Sequence, residues 1–116
     1  MTNKLTVCIR DQNERFRKLD PEVPGQVLFT QGVTTLIEQS DATNAKDLLT
    51  AIGAFDDFDA DNDPHGEHDF GSLRFANAKL FWKIDLYDET YTFGSSEPAN
   101  LSKTRRVLTV MLPQEY

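Results

Sequence analysis

FGSLRFANAKLFWKIDLY, residues 70–87, is the stretch on which the fold turns. Two apolar-rich runs, Phe70 to Phe75 and Lys79 to Tyr87, flank Ala76–Asn77, and that pattern predicts a β-hairpin with a short turn. In the longer run Trp82, Ile84 and Leu86 share one face, while Phe81, Lys83, Asp85 and Tyr87 share the other. The first set belongs to a core. The second, apolar and charged by turns, is what an open sheet face carries.

Outward from the hairpin, Tyr91 to Phe93 reads as a strand returning after a turn at Asp88–Glu89. Glu97–Pro98 is a turn, and Ser102 is placed to cap a last helix with Thr104, Val107, Leu108 and Met111 facing inward. Toward the N-terminus, Ala45, Leu48, Leu49, Ile52 and Phe55 line one face of a helix over Asp41 to Phe55, with Ser40 or Asp41 as its cap. Gln26 to Thr30 reads as a strand, and Gly32 to Ile37 as a short helical turn. Leu5, Cys8, Ile9, Phe16 and Leu19 recur at helical spacing, with Arg10, Glu14, Arg17 and Lys18 on the outer side, and Pro21, Pro24 and Gly25 close that helix. The sum is an α+β fold: a small antiparallel sheet of about four strands packed against N-terminal, central and C-terminal helices. At 116 residues it is expected to be a single domain over 1–116.

Composition narrows the function classes. With 39% hydrophobic and 10% aromatic residues the chain has material for a core. No apolar run is long enough to cross a bilayer, and the first residues show no secretory pattern. Cys8 is the sole cysteine, so there is no internal disulfide, and a cytoplasmic setting is expected with no membrane partner. A net charge of -7 argues against direct nucleic-acid binding, which draws on Lys and Arg. The charge is concentrated: Asp56, Asp57, Asp59, Asp61, Asp63, Glu67 and Asp69 follow one another with no Lys or Arg among them.

Four chemistries compete for that segment. A calcium loop needs glycine at its sixth position and glutamate at its twelfth. Counting from Asp57 those places hold Asn62 and His68, and from Asp59 they hold Pro64 and Phe70, so the EF-hand register fails. A transition-metal site would draw on Asp63, His65, Glu67 and His68, but they flank a Pro-Gly loop with no cysteine nearby. Acid–base catalysis needs carboxylates whose surroundings separate their pKa values, which a solvated acidic loop does not supply. There is no Gly-rich phosphate loop and no Ser-His-Asp pattern, so no cofactor and no catalytic residue is assigned. The fourth chemistry is electrostatic mimicry. Alternate residues of an extended segment stand about 6.5–7 Å apart, close to every second phosphate of one DNA strand. Asp57, Asp59, Asp61 and Asp63 fit that spacing, and Asp85, Asp88 and Glu89 would extend the patch. The interleaved Phe55, Phe58 and Phe70 would fix the loop to the core. Against all four stands a loop that is merely solvated and keeps the protein soluble.

The stretches Asp61-Asn62-Asp63-Pro64, Gly66-Glu67-His68-Asp69-Phe70-Gly71, Phe81-Trp82-Lys83-Ile84-Asp85, Arg106-Val107-Leu108-Thr109 and Glu115-Tyr116 give the chain a resemblance to the DUF3768 family of small bacterial proteins of unknown function, over roughly Ile9 to Tyr116. The resemblance implies a family but no activity. It also implies a setting among bacterial genomes and mobile elements, where a small acidic protein fits an inhibitor of host defence. Glu67, His68, Asp69, Trp82, Lys83 and Asp85 are the polar or amphipathic positions that it singles out. The function expected is therefore a non-enzymatic acidic binding protein. In its sharpest form it is a DNA mimic of the anti-CRISPR or anti-restriction type, its partner the basic surface of a nucleic-acid-binding defence complex. Asp56, Asp57, Asp59, Asp61, Asp63, Glu67 and Asp69 would carry the contact, with Phe81 and Tyr87 adding apolar area. The alternative is a metal-binding or enzymatic domain using Asp63, His65, Glu67 and His68, or an accessory protein with a solvated loop.

Overall fold

The computed structural model describes residues 3–40 and 44–116. Helix α1, Lys4–Arg17, starts at Asn3, whose side-chain oxygen accepts the Thr6 N–H at 2.7 Å. Strand β1 is Gly25–Phe29 and helix α2 is Gln31–Glu38, which extends the short helical turn expected there to two turns. Helix α3, Ala45–Ala54, is capped by Asn44 through the Asp47 N–H at 2.9 Å. It thus begins later than the Asp41 to Phe55 reading, and Asp41 lies outside the described residues. Strands β2, Phe70–Phe75, and β3, Ala78–Tyr87, form the expected hairpin. Ala76 and Asn77 both have positive φ, 51° and 64°, the two-residue turn whose twist matches a hairpin.

The four strands lie in the order β1-β4-β3-β2, with β4 formed by Arg105–Met111. The architecture is α+β as expected, with three corrections in its parts. The C-terminal helix over Thr104 to Met111 is instead β4, a central strand. Its Val107, Leu108, Val110 and Met111 are all buried, so the apolar residues run on without the period-2 gaps that identify a strand. The sheet is mixed rather than antiparallel, because β1 and β4 are parallel, Val27 opposite Leu108. Tyr91 to Phe93 is no strand: the Asp88 carboxylate accepts the Thr90 and Thr92 N–H groups and bends the chain, leaving only a bridge from Tyr87 to Gly94.

All three α-helices pack on one side of the sheet. Phe16 of α1, Val33 of α2, and Leu48 and Ile52 of α3 meet Leu80, Trp82, Ile84, Leu108 and Val110 in one cluster. Trp82 lies flat across β2 because residue 71 is glycine; a Cβ there would come within 2.5 Å of the indole nitrogen. Among the described residues the opposite side of the sheet carries no α-helix. After β4 a 3-10 turn, Pro113–Glu115, sends the Glu115 carboxylate to the start of α2, where it accepts the Gly32 N–H at 2.9 Å and the Thr30 hydroxyl at 2.6 Å. The buried side of α1 is not the apolar stripe read from the sequence. Leu5 and Leu19 are exposed, while Gln12, Asn13 and Arg17 are buried beside Ile9 and Phe16. That polar stripe is what positions the acidic loop.

Candidate partner-binding surface

The loop between α3 and β2 is folded by its own side chains. The Asp59 carboxylate accepts the N–H groups of Asp61 and Asn62 at 2.8 and 3.1 Å, and Asn62 donates to the Asp57 carbonyl at 2.8 Å. Asp63 N–H reaches the Asp59 carbonyl and Gly66 N–H the Asp63 carbonyl, so the segment turns twice and leaves at Gly66 with φ 70°. Asp63 then accepts the His68 N–H at 3.0 Å, and its side chain is only 6% exposed. The evenly spaced extended ladder expected over Asp57, Asp59, Asp61 and Asp63 is therefore absent. Local capping by Asp59 and Asp63 competes with extension and wins.

Helix α1 holds the loop from the other side. Asn13 donates to the Glu67 carbonyl at 2.9 Å, and Glu14 meets the His68 ring at 2.6 Å. The His68 imidazole stacks on Phe58, centroids 3.8 Å apart and 3° from parallel, and Phe55 and Phe58 both present edges to Trp82. Arg17 is 1% exposed. Its guanidinium donates to the carbonyls of Ile52, Gly53 and Phe55, pairs with Glu14 at 2.6 Å, and lies over Trp82 at 5.1 Å. Burial alone would raise the Glu14 carboxyl, but hydrogen bonds to His68 and Arg17 outweigh it and hold the group below its ordinary value. Farther along, Arg106 is fully buried and donates to Asn13 at 2.7 Å and Gln12 at 3.1 Å. Burial brings it down to about 10, so it stays protonated at neutral pH.

The residues singled out by sequence fall into four places. Asp56, Asp57, Asp59 and Asp61 lie on the exposed side of the loop, and none of them pairs with a cation among the described residues. Asp63 and His68 point inward. Glu67 and Asp69 are half-buried, and both carboxyls are raised by burial first and then by neighbouring carboxylates, Asp69 acting on Glu67 and Asp63 on Asp69. Phe81 and Tyr87 are on the helix-free face of the sheet, Phe81 in a ring cluster with Phe70 and Tyr116. The metal candidates do not converge: His68 is turned to Glu14 and Asp63, His65 is exposed, and no three His, Cys, Asp or Glu side chains gather to hold an ion among the described residues. Arg17, Glu14 and Asn13 were missed as partners of the loop, and Arg106 as the cation that holds Asn13 from behind. The signal was present in the spacing of Ile9, Asn13, Phe16 and Arg17, one helical stripe with an amide and a cation in it, facing a loop that has no cation of its own.

Residues 29–115 match the family described as a protein of unknown function, DUF3768. The chain belongs to that family. Neither a curated protein nor a solved structure matches it. The DUF3768 match begins later than Ile9, where the resemblance was first legible; it takes in the loop, α2, α3, β2, β3 and β4, and leaves α1 and all of β1 but Phe29 outside. The clamp on the loop of this DUF3768 member is thus supplied by an element beyond the matched residues. No helix among the described residues is long and apolar enough to cross a membrane.

Proposed function

We propose that this protein is a non-enzymatic binding protein that offers the outer side of its acidic loop to a basic surface on a protein partner. The observation that carries the reading is a loop backbone fixed by α1 while Asp56, Asp57 and Asp61 remain exposed and, among the described residues, without a cation. Charges held in place lose little freedom on binding, and a concentrated negative patch draws a basic partner from a distance. In the sharpest form of the proposal the partner's basic surface is one that otherwise holds nucleic acid in a defence complex of the CRISPR or restriction type. Mimicry would then rest on the density of charge at Asp56, Asp57 and Asp61, not on a regular phosphate repeat. A cytoplasmic setting goes with this reading.

The test is affinity capture from bacterial lysate with wild type and with the Asp56→Asn, Asp57→Asn, Asp61→Asn variant, which leaves the folding contacts of Asp59 and Asp63 intact. The expected result is a basic protein retained by wild type, released by salt and by added nucleic acid, and lost from the variant. Equal retention by both proteins would remove the loop as the binding site. Release by salt but not by nucleic acid would keep the acidic binder and discard the mimic.

A further inference from the structure

Arg106 is a buried cation without an anion. Its Nε and Nη2 donate to two neutral amides, Asn13 and Gln12. Its Nη1 is buried too and has no hydrogen-bond partner, and no carboxylate pairs with the guanidinium among the described residues. Buried charges are ordinarily paired, because an uncompensated one gives up its hydration for nothing. Two ionisable groups lie close enough to act on it, Cys8 first and Glu67 second. Glu67 is a poor counter-ion: its carboxyl is raised by burial and then by Asp69, which disfavours the ionised form. Cys8 is tied to the guanidinium by contacts. The Gln12 amide accepts from Arg106 through its oxygen, and through its nitrogen it donates to the Cys8 sulfur at 3.4 Å and to the Ala99 carbonyl at 2.8 Å. Cys8 and Gln12 are four residues apart, neighbours on one side of α1. The sulfur is partly exposed, so a small molecule in solution reaches it. A partly exposed sulfur beside a buried, unpaired cation is the setting in which a cysteine reacts.

We propose that Cys8 is an oxidation site, and that its oxidised sulfur is the anion that Arg106 lacks. The oxidant is a hydroperoxide. The sulfur attacks one peroxide oxygen; an S–O bond forms as the O–O bond breaks, and the other oxygen leaves with the thiol proton as water or an alcohol. Sulfur gives up two electrons and the peroxide takes them, leaving a sulfenic acid. The attacking sulfur and the leaving oxygen both carry negative charge in that step, which a neighbouring guanidinium stabilises. The new oxygen, once ionised, accepts from Nη1. With no second cysteine in the chain the product closes no internal disulfide, and it persists until a thiol from solution condenses with it. The change is felt at the acidic loop, because the same guanidinium holds Asn13 and Asn13 holds the Glu67 carbonyl. Oxidation therefore tightens the grip of α1 on the loop. The inference is independent of the loop's partner, since Asp56, Asp57 and Asp61 take no part in it.

The test has two arms, both on the full chain. In the first, hydrogen peroxide is added together with dimedone, which marks sulfenic acid, and labelling of Cys8 is timed by mass spectrometry on folded protein and on protein unfolded in urea at the same pH. Folded protein is expected to be labelled about 10-fold faster. Labelling no faster than in the unfolded chain overturns the proposal. In the second arm, thermal melts compare Cys8→Asp with Cys8→Asn, two side chains of one shape that differ in charge. Cys8→Asp is expected to melt above Cys8→Asn although it adds a carboxylate to an acidic molecule, and peroxide-treated wild type above reduced wild type. Equal melts for the two variants, or a higher one for Cys8→Asn, would mean that Arg106 takes no anion from position 8, and the proposal fails. Cys8→Ser is expected to show no shift on the same peroxide treatment; a shift as large as that of wild type would place the effect at another side chain and overturn the assignment.

Discussion

The guanidinium of Arg17 reaches three carbonyls at the C-terminal end of α3, where the helix runs out of its own N–H donors. Arg17→Met keeps the length of the side chain and loses those bonds together with the Glu14 pair. It is expected to cost about 3 kcal/mol or more, read as a lower urea midpoint with an unchanged slope. Glu14 carries a pH signature of its own. Its folded pKa lies below the ordinary 4.5, so its contribution is complete above that value and is lost as pH falls through the folded value. Glu67 and Asp69 act in the other sense, because their folded values are raised and their ionised forms are disfavoured; acidification through those values relieves the native state. Melting temperature followed from neutral to acid pH is therefore expected to fall less for Glu14→Gln than for wild type, with the two curves meeting below the folded pKa of Glu14. At Gly71 the constraint is space. Gly71→Ala drives a methyl group into the buried Trp82 ring and is expected to cost about 1–3 kcal/mol, with a shift in the tryptophan emission.

At the scale of elements, the acidic loop divides into carboxylates that fold it and carboxylates that it displays. Asp63→Ala removes a bond to the His68 N–H at a nearly buried site and is expected to cost about 1–2 kcal/mol. Neutralising Asp56, Asp57 and Asp61 together is expected to leave the thermal melt unchanged or raise it, since their mutual repulsion is relieved and no bond is lost. A melt that fell as far for the triple variant as for Asp63→Ala would erase the division. The hairpin and its turn were legible because Phe70 to Tyr87 alternates cleanly and only one side of it is packed by helices. β4 was not, because Val107 and Met111 are buried on the open face just as Leu108 and Val110 are on the core face, which erases the period of two. The loop's position was half legible. Its three phenylalanines announced an anchor, but the partner on α1 was hidden by the rule that places charged residues outside. Arg17 and Arg106 break that rule because carbonyls and amides wait for them.

The molecule as a whole crowds seven carboxylates, Asp56, Asp57, Asp59, Asp61, Asp63, Glu67 and Asp69, into one short stretch without a Lys or Arg. Adding salt screens the crowded loop over about 10 Å at about 0.1 M, so thermal stability is expected to rise between dilute buffer and roughly 0.5 M sodium chloride. A fall would mean that the exposed pairs, such as Lys103 with Glu89, matter more than the repulsion. The strand order has a further consequence in time. β1 has one neighbour in the sheet, β4, and the two are separated by the entire loop and hairpin; the carboxylate that completes the start of α2 comes later still, from Glu115. A ribosome that has delivered β1, α2 and α3 has made segments whose mates do not yet exist. High contact order of this kind slows folding and leaves Val27, Phe29 and Val33 uncovered on the nascent chain until β4 and Glu115 arrive.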